Sequence, residues 1–124
     1  IDVHGFAGNK AGLYDIEDTV TANFKFENGV FGSGNWCFCC NEDLDQTDIV
    51  GSKGKIIYST FGNEPFIVHT KRRIKEYKIH HPEHIQQGLI ETVVNELNGT
   101  GKCPSTGKTA ALTNWVIDNI FGRI

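Results

Sequence analysis

From Thr19 the chain alternates: Val20, Ala22, Phe24 and Phe26 fall on one side, Thr19, Thr21, Asn23 and Lys25 on the other. A period of two predicts a half-buried strand. Glu27-Asn28-Gly29 reads as the turn that follows, because Asn-Gly tolerates the positive φ of a tight hairpin. The return strand VFGSGNWCFCC sets Val30, Trp36 and Phe38 on one face, with Gly32 and Gly34 leaving room for a bulky neighbour. TDIVG and KIIYST, joined by Ser52-Lys53-Gly54, predict a second hairpin, and PFIVHT with RIKEYKI a third. A strand over Val3 to Phe6 brings the number to six or seven. The period then changes. Ile85, Leu89, Val93 and Leu97, with Ile90 and Val94 beside them, mark a helix from Glu83 to Asn98, and Leu112, Trp115, Val116 and Ile120 mark another from Gly107 to Phe121. Connections this short leave no room for crossover helices, so the expected fold is α+β. It is an open, largely antiparallel six- to seven-stranded sheet with both helices packed on one face, a two-layer sandwich. The other face stays bare, and its apolar content predicts a partner surface.

GTGKCPSTGKT, Gly99 to Thr109, ends like a phosphate-binding P-loop, but neither its spacing nor its context supports that function. The position that requires glycine, separated from Gly107-Lys108 by four residues, is occupied by Lys102, and a helix stripe rather than a buried strand precedes the motif. The segment reads instead as a helix stop at Asn98-Gly99 followed by an N-cap at Ser105 or Thr106.

The 124 residues, 39% hydrophobic and 22% charged, describe one ordinary globular domain. A net charge of −3 offers no basic field for nucleic acid, and no apolar run reaches the length of a membrane span. With no methionine, the chain is expected to be a piece of something longer. Of the four cysteines, Cys37, Cys39 and Cys40 lie in what reads as one strand, where Cys37 and Cys39 share a face and Cys40 takes the other. That arrangement suits neither a zinc turn nor a disulfide. The expectation is buried free thiols in a reducing, cytoplasmic compartment. With Pro82 at the first helical position, His84 falls in the first helical turn while His80 and His81 stay in the loop, where they read as ordinary imidazoles rather than metal ligands. Glu17 and Asp18 are adjacent, so their side chains oppose one another and make no carboxylate pair.

IEDTVTANFKFENGVFGSGNW, DIVGSKGKI and HPEHIQQGLIETVVNELNGTGKCPSTGKTAALTNWVID, in that order, resemble the C-terminal domain of the Gfo/Idh/MocA family, relatives of glucose-fructose oxidoreductase and inositol dehydrogenase. The resemblance covers most of the chain. One departure is Lys108, where relatives often carry Glu; it implies a lost capping-box bond and a cation near the positive helix end. The family pairs this domain with an N-terminal Rossmann domain that binds NAD or NADP. Together they transfer hydride to or from a sugar, polyol or related compound. By resemblance, the whole span 1–124 is the substrate-side and oligomerisation domain. It has no G-x-G-x-x-G fingerprint, E-K-P motif or D-x-x-x-H pair, so it carries no catalytic or cofactor-binding residues of its own and is expected to be inert alone.

The resemblance points to substrate contacts in the loop Asn41 to Gln46, through Asn41 and Asp43, and at His84. For the loop, a solvated acidic turn of Glu42, Asp43 and Asp45 is an equal reading. The bare sheet face implies a homodimer or tetramer. A freestanding binding or assembly module using the same sheet is the competing reading from another class, and a small metalloprotein on Cys37, Cys39 and the histidines a third.

Overall fold

The alternation in residues 19–26 produces strand β2 (Thr19–Lys25), which lies between β1 (Asp2–Gly8) and β3 (Phe31–Cys37) in an antiparallel three-stranded sheet. The computed structural model describes residues 1–124 and groups them in two units. One is Ile1–Asn41 with Cys103–Ile124, the other Glu42–Lys102.

In the first unit the β2–β3 turn closes as expected. Gly29 takes φ 84, and the Phe26 N–H donates to the Val30 carbonyl at 2.9 Å. The return strand ends sooner than expected, at Cys37, and residues 38 and 39 turn away from the ladder. Val3, Ala22 and Ile120 form the buried core, with Val20, Phe24 and Val116 packed against it. Ile120 belongs to α2 (Gly107–Ile120), which lies against β1. Gly5 lets it approach: a Cβ there would stand 2.6 Å from the Thr21 carbonyl oxygen and 2.8 Å from Ile120 Cγ2. Gly34, opposite Ala22, leaves space filled by the Trp36 ring. Only part of the expected α2 stripe is covered, since Leu112 remains 59% exposed.

The start of α2 corrects the expected loss of a capping box. Thr106 is the N-cap and Thr109 the third helical residue; the Thr109 N–H donates to Thr106 Oγ1 and the Thr106 N–H to Thr109 Oγ1. A threonine one place beyond Lys108 supplies the reciprocal bond of the box.

The second unit holds β4 (Thr47–Gly51), β5 (Gly54–Tyr58), β6 (Phe66–Thr70) and β7 (Ile74–Tyr77), paired in that order as an antiparallel meander. The fold is α+β, with seven antiparallel strands and two closing helices as expected. The strands are divided between sheets of three and four because no ladder bonds join β3 to β4.

Helix α1 (Gln87–Leu97) begins later than the apolar stripe predicted. Gln86 takes a left-handed φ of 68, which breaks helical continuity, so Pro82 is not the first helical residue and His84 is not in the first turn. The helix ends as expected: Gly99 takes φ 71, and the Thr100 N–H reaches back to the Asn95 carbonyl at 2.8 Å. No residue of α1 is buried, so its apolar stripe, including Leu89, Val93 and Val94, is uncovered. No helix is long and apolar enough to cross a membrane.

Candidate functional site

The second unit contains a cavity of about 400 Å³ at the β4–β5 end of its sheet, lined among others by Asp43, Asp45, Ser59, Phe61, Glu64 and Ile67. One carboxylate of its lining ties two loops together. Asp45, just before β4, accepts from Ser59 Oγ at 2.5 Å and from the Phe61 N–H at 2.6 Å, so the chain entering β4 is tied to the loop leaving β5. Ser59 Oγ in turn accepts from the Gly62 N–H at 2.7 Å. The Ser59 hydroxyl first, then the backbone N–H groups of Phe61 and Thr60, hold the Asp45 carboxyl below the ordinary carboxylate range. Asp45 is therefore a structural anion. Asp43 and Glu64 add further acidic residues to a lining that also includes the apolar Ile57 and Ile67. A lining of acidic and apolar residues suits a ligand that offers both hydrogen-bond donors and apolar surface.

Of the residues expected to face substrate, Asp43 lines this cavity and His84 does not. His84 is exposed in the segment before α1, where its carbonyl accepts from the Gln87 N–H at 3.2 Å. Asn41 is exposed at the end of a segment of the first unit. Ser59 and Glu64 were not legible as site residues, because nothing in their spacing connects them with Asp45; only the fold of the β5–β6 loop does.

A second polar cluster lies in the first unit. Asp18, only 1% exposed, accepts from the N–H groups of Lys10 at 2.8 Å and Ala11 at 2.7 Å and from the Thr19 hydroxyl at 2.9 Å. Its own carbonyl accepts from the Phe38 N–H at 2.8 Å, so one residue fixes both the β1–β2 connection and the turn after β3. The Ala11 N–H is the largest cause holding its carboxyl below the usual range, despite the opposing cost of burial. The sequence excluded Asp18 from catalysis and assigned it no other role.

Beside it stand three thiols, and here two expectations are corrected. Cys37, Cys39 and Cys40 are exposed rather than buried; only Cys103 is buried. They also do not alternate along a strand. The turn at residues 38 and 39 returns Cys40 to Cys37, with 2.7 Å between their sulfurs, while Cys39 lies 3.6 Å from Cys37 and 3.5 Å from the Thr19 hydroxyl. The Cys40 S–H donated to Cys37, then the Cys39 backbone N–H, bring the Cys37 pKa down to about 7. Cys40 is raised, chiefly because its proton is engaged by Cys37. Cys39 is lowered by the Thr19 hydroxyl but raised more by Cys37, partial desolvation and the Asp18 carboxylate, and is raised on balance.

No family model matches the sequence. A curated protein of Formosa agariphila, Oxidoreductase P35, is 33% identical over 103 residues, which are 83% of this chain and 32% of that protein. The chain thus spans about a third of the length of the curated relative it matches. Among solved structures, a Thermotoga maritima protein described by inference as an oxidoreductase has a TM-score of 0.75 at 20% identity, over 95% of this chain and 36% of that one. The WlbA dehydrogenase of Bordetella pertussis, in complex with NADH and UDP-GlcNAcA, has a TM-score of 0.66 at 21% identity over 98% of this chain and 38% of its own. The UDP-N-acetylglucosamine 3-dehydrogenase GnnA of Acidithiobacillus ferrooxidans has a TM-score of 0.65 at 17% identity over 80% and 31% respectively. The chain is thus similar in sequence to about a third of an oxidoreductase, and its α+β fold is that of part of each of these solved structures. These similarities are consistent with the resemblance to the C-terminal domain of the Gfo/Idh/MocA-type oxidoreductases read from the sequence.

Proposed function

We propose that this chain, over residues 1–124, is the substrate-side and subunit-contact domain of an NAD(P)-dependent oxidoreductase that acts on a sugar, polyol or related compound. The observation that carries this reading is the combination of a 33% match to an oxidoreductase with a fold shared across 98% of this chain with WlbA. The NADH and nucleotide sugar of the WlbA complex, and the nucleotide sugar named as the GnnA substrate, favour a nicotinamide cofactor and a hydroxylated sugar derivative. Hydride transfer and dinucleotide binding are assigned to a Rossmann domain outside this sequence, since none of the 124 residues forms the required glycine fingerprint.

Asp43 is assigned a substrate contact through hydroxyl groups that donate to its carboxylate. Asn41 and His84 are each assigned a contact through their amide and imidazole. The face of the three-stranded sheet opposite α2, where Phe6 and Phe31 are 81% and 76% exposed, is assigned to subunit contact in a homodimer or tetramer. A reducing cytoplasm is the compartment this reading implies.

Sedimentation equilibrium on the chain, with and without NADH or NADPH followed by cofactor fluorescence, tests the division of labour. Self-association without cofactor binding is expected. Cofactor bound by the chain itself would refute the assignment and reopen Gly99 to Thr109 as a nucleotide site. A monomer across micromolar concentrations would remove the subunit-contact assignment.

A further inference from the structure

We infer that Cys37 and Cys40 form a reversible thiol–disulfide site that is oxidised by small-molecule disulfides, with Cys37 as the attacking thiol and Cys40 as the resolving one. The inference does not depend on the oxidoreductase reading. It rests on the C-x-x-C spacing, which the turn at residues 38 and 39 converts into a close pair. At 2.7 Å the two sulfurs need only about 0.7 Å of further approach to reach the ~2.04 Å of a disulfide bond. Both are exposed, so a soluble disulfide reaches them. They stand where the sheet ends, since Thr19–Cys37 is the last pair of the β2–β3 ladder.

The three sulfurs are not equivalent. The Cys40 proton points at Cys37 and stabilises negative charge there, which favours the thiolate at Cys37 and the thiol at Cys40. Cys39 is engaged by Thr19 and stands near the Asp18 carboxylate, which disfavours its thiolate.

With oxidised glutathione as the disulfide, the Cys37 thiolate attacks one sulfur. A Cys37–glutathione disulfide forms, the glutathione S–S bond breaks, and one glutathione thiolate leaves. Cys40 loses its proton to solvent and attacks Cys37 Sγ, breaking the mixed disulfide and releasing the second glutathione thiolate, which takes up a proton. Two protein thiols are oxidised to one disulfide and one glutathione disulfide is reduced to two thiols, so two electrons are exchanged and no other reactant is required. The bond ties Cys40, and the exit of the chain at Asn41, to the end of β3.

The test incubates the chain in mixtures of reduced and oxidised glutathione, quenches with acid, blocks free thiols with N-ethylmaleimide and maps the products by peptide mass spectrometry. A Cys37–Cys40 disulfide that dithiothreitol reverses is expected. Cys39→Ser should form the same bond at an unchanged glutathione ratio, and Cys40→Ser should hold a lasting glutathione adduct on Cys37. At pH 7 the greater thiolate fraction at Cys37, partly offset by its lower nucleophilicity, predicts alkylation roughly three- to fivefold faster than at an ordinary cysteine. A disulfide that includes Cys39, adducts with no intramolecular bond in the native chain, or no oxidation would each overturn the inference. Circular dichroism of each serine variant confirms that the fold is retained, and the Cys39→Ser result stands independently of the other two variants.

Discussion

Replacing Gly5 by alanine tests the packing that defines the first unit, because here the sign of the effect is diagnostic. In an open strand position a Gly→Ala change is favourable by about 0.5–1 kcal/mol, since it narrows the unfolded ensemble. At Gly5 the new Cβ would meet the Thr21 carbonyl oxygen at 2.6 Å and Ile120 Cγ2 at 2.8 Å. One of these atoms is backbone in the paired strand, so a rotamer change alone does not relieve the clash. Either the β1–β2 ladder shifts or α2 lifts from the sheet, and overpacking of this kind costs about 1–3 kcal/mol. The net expectation is destabilisation despite the favourable entropy. Gly88, on the exposed surface of α1 with nothing near its missing Cβ, is the matched control. Gly88→Ala should stabilise its helix by up to about 1 kcal/mol. Trp36 and Trp115 are the only tryptophans and both belong to the first unit, so tryptophan fluorescence during urea unfolding follows that unit, while circular dichroism follows α1 as well. A Gly5→Ala chain as stable as the native one would refute the close approach of Ile120 to β1.

Thr106→Ala removes the N-cap acceptor of α2 and should cost about 1 kcal/mol in the same unfolding experiment, whereas Ser105→Ala should have little effect. Asp18 has a folded-state pKa below its unfolded value, so its stabilisation is fully present above the ordinary carboxylate range and is lost as pH falls through the lowered folded value. Acid titration of stability should therefore show a larger drop for the native chain than for Asp18→Asn, which starts lower at neutral pH; parallel curves would refute the role given to that carboxylate. Phe31→Lys places a charge on the uncovered sheet face and should shift sedimentation towards monomer with unchanged circular dichroism.

What was legible in the sequence was local. The period-two alternation from Thr19 marked β2 and its buried side because neighbouring side chains on a strand must point to opposite faces. Asn28-Gly29 marked its turn, and Asn98-Gly99 the end of α1, because few other residues accept those backbone angles. Periodicity, however, reports which face is apolar and not what covers it. The stripe on α1 is as regular as any in the chain, yet none of its residues is buried. The candidate cavity was half visible: the acidic loop containing Asp43 stood out, but Ser59, Phe61 and Glu64 join it only through the return of the β5–β6 loop.

The cysteines separate the two kinds of information most clearly. Their number and the C-x-x-C spacing belong to the sequence, and a strand continued through Trp36 would have sent Cys37 and Cys40 to opposite faces. The fold ended that strand at Cys37, with one further bond in register from the Phe38 N–H to the Asp18 carbonyl, and the following turn brought the two sulfurs together. The sequence by itself determined the elements, their order and the family resemblance, since these follow from backbone preferences and side-chain alternation within a few residues. The division of seven strands between two sheets, the partners of Asp18 and Asp45, and the meeting of Cys37 with Cys40 were decided only by tertiary structure. Each depends on hydrogen bonds between segments whose approach no local pattern encodes.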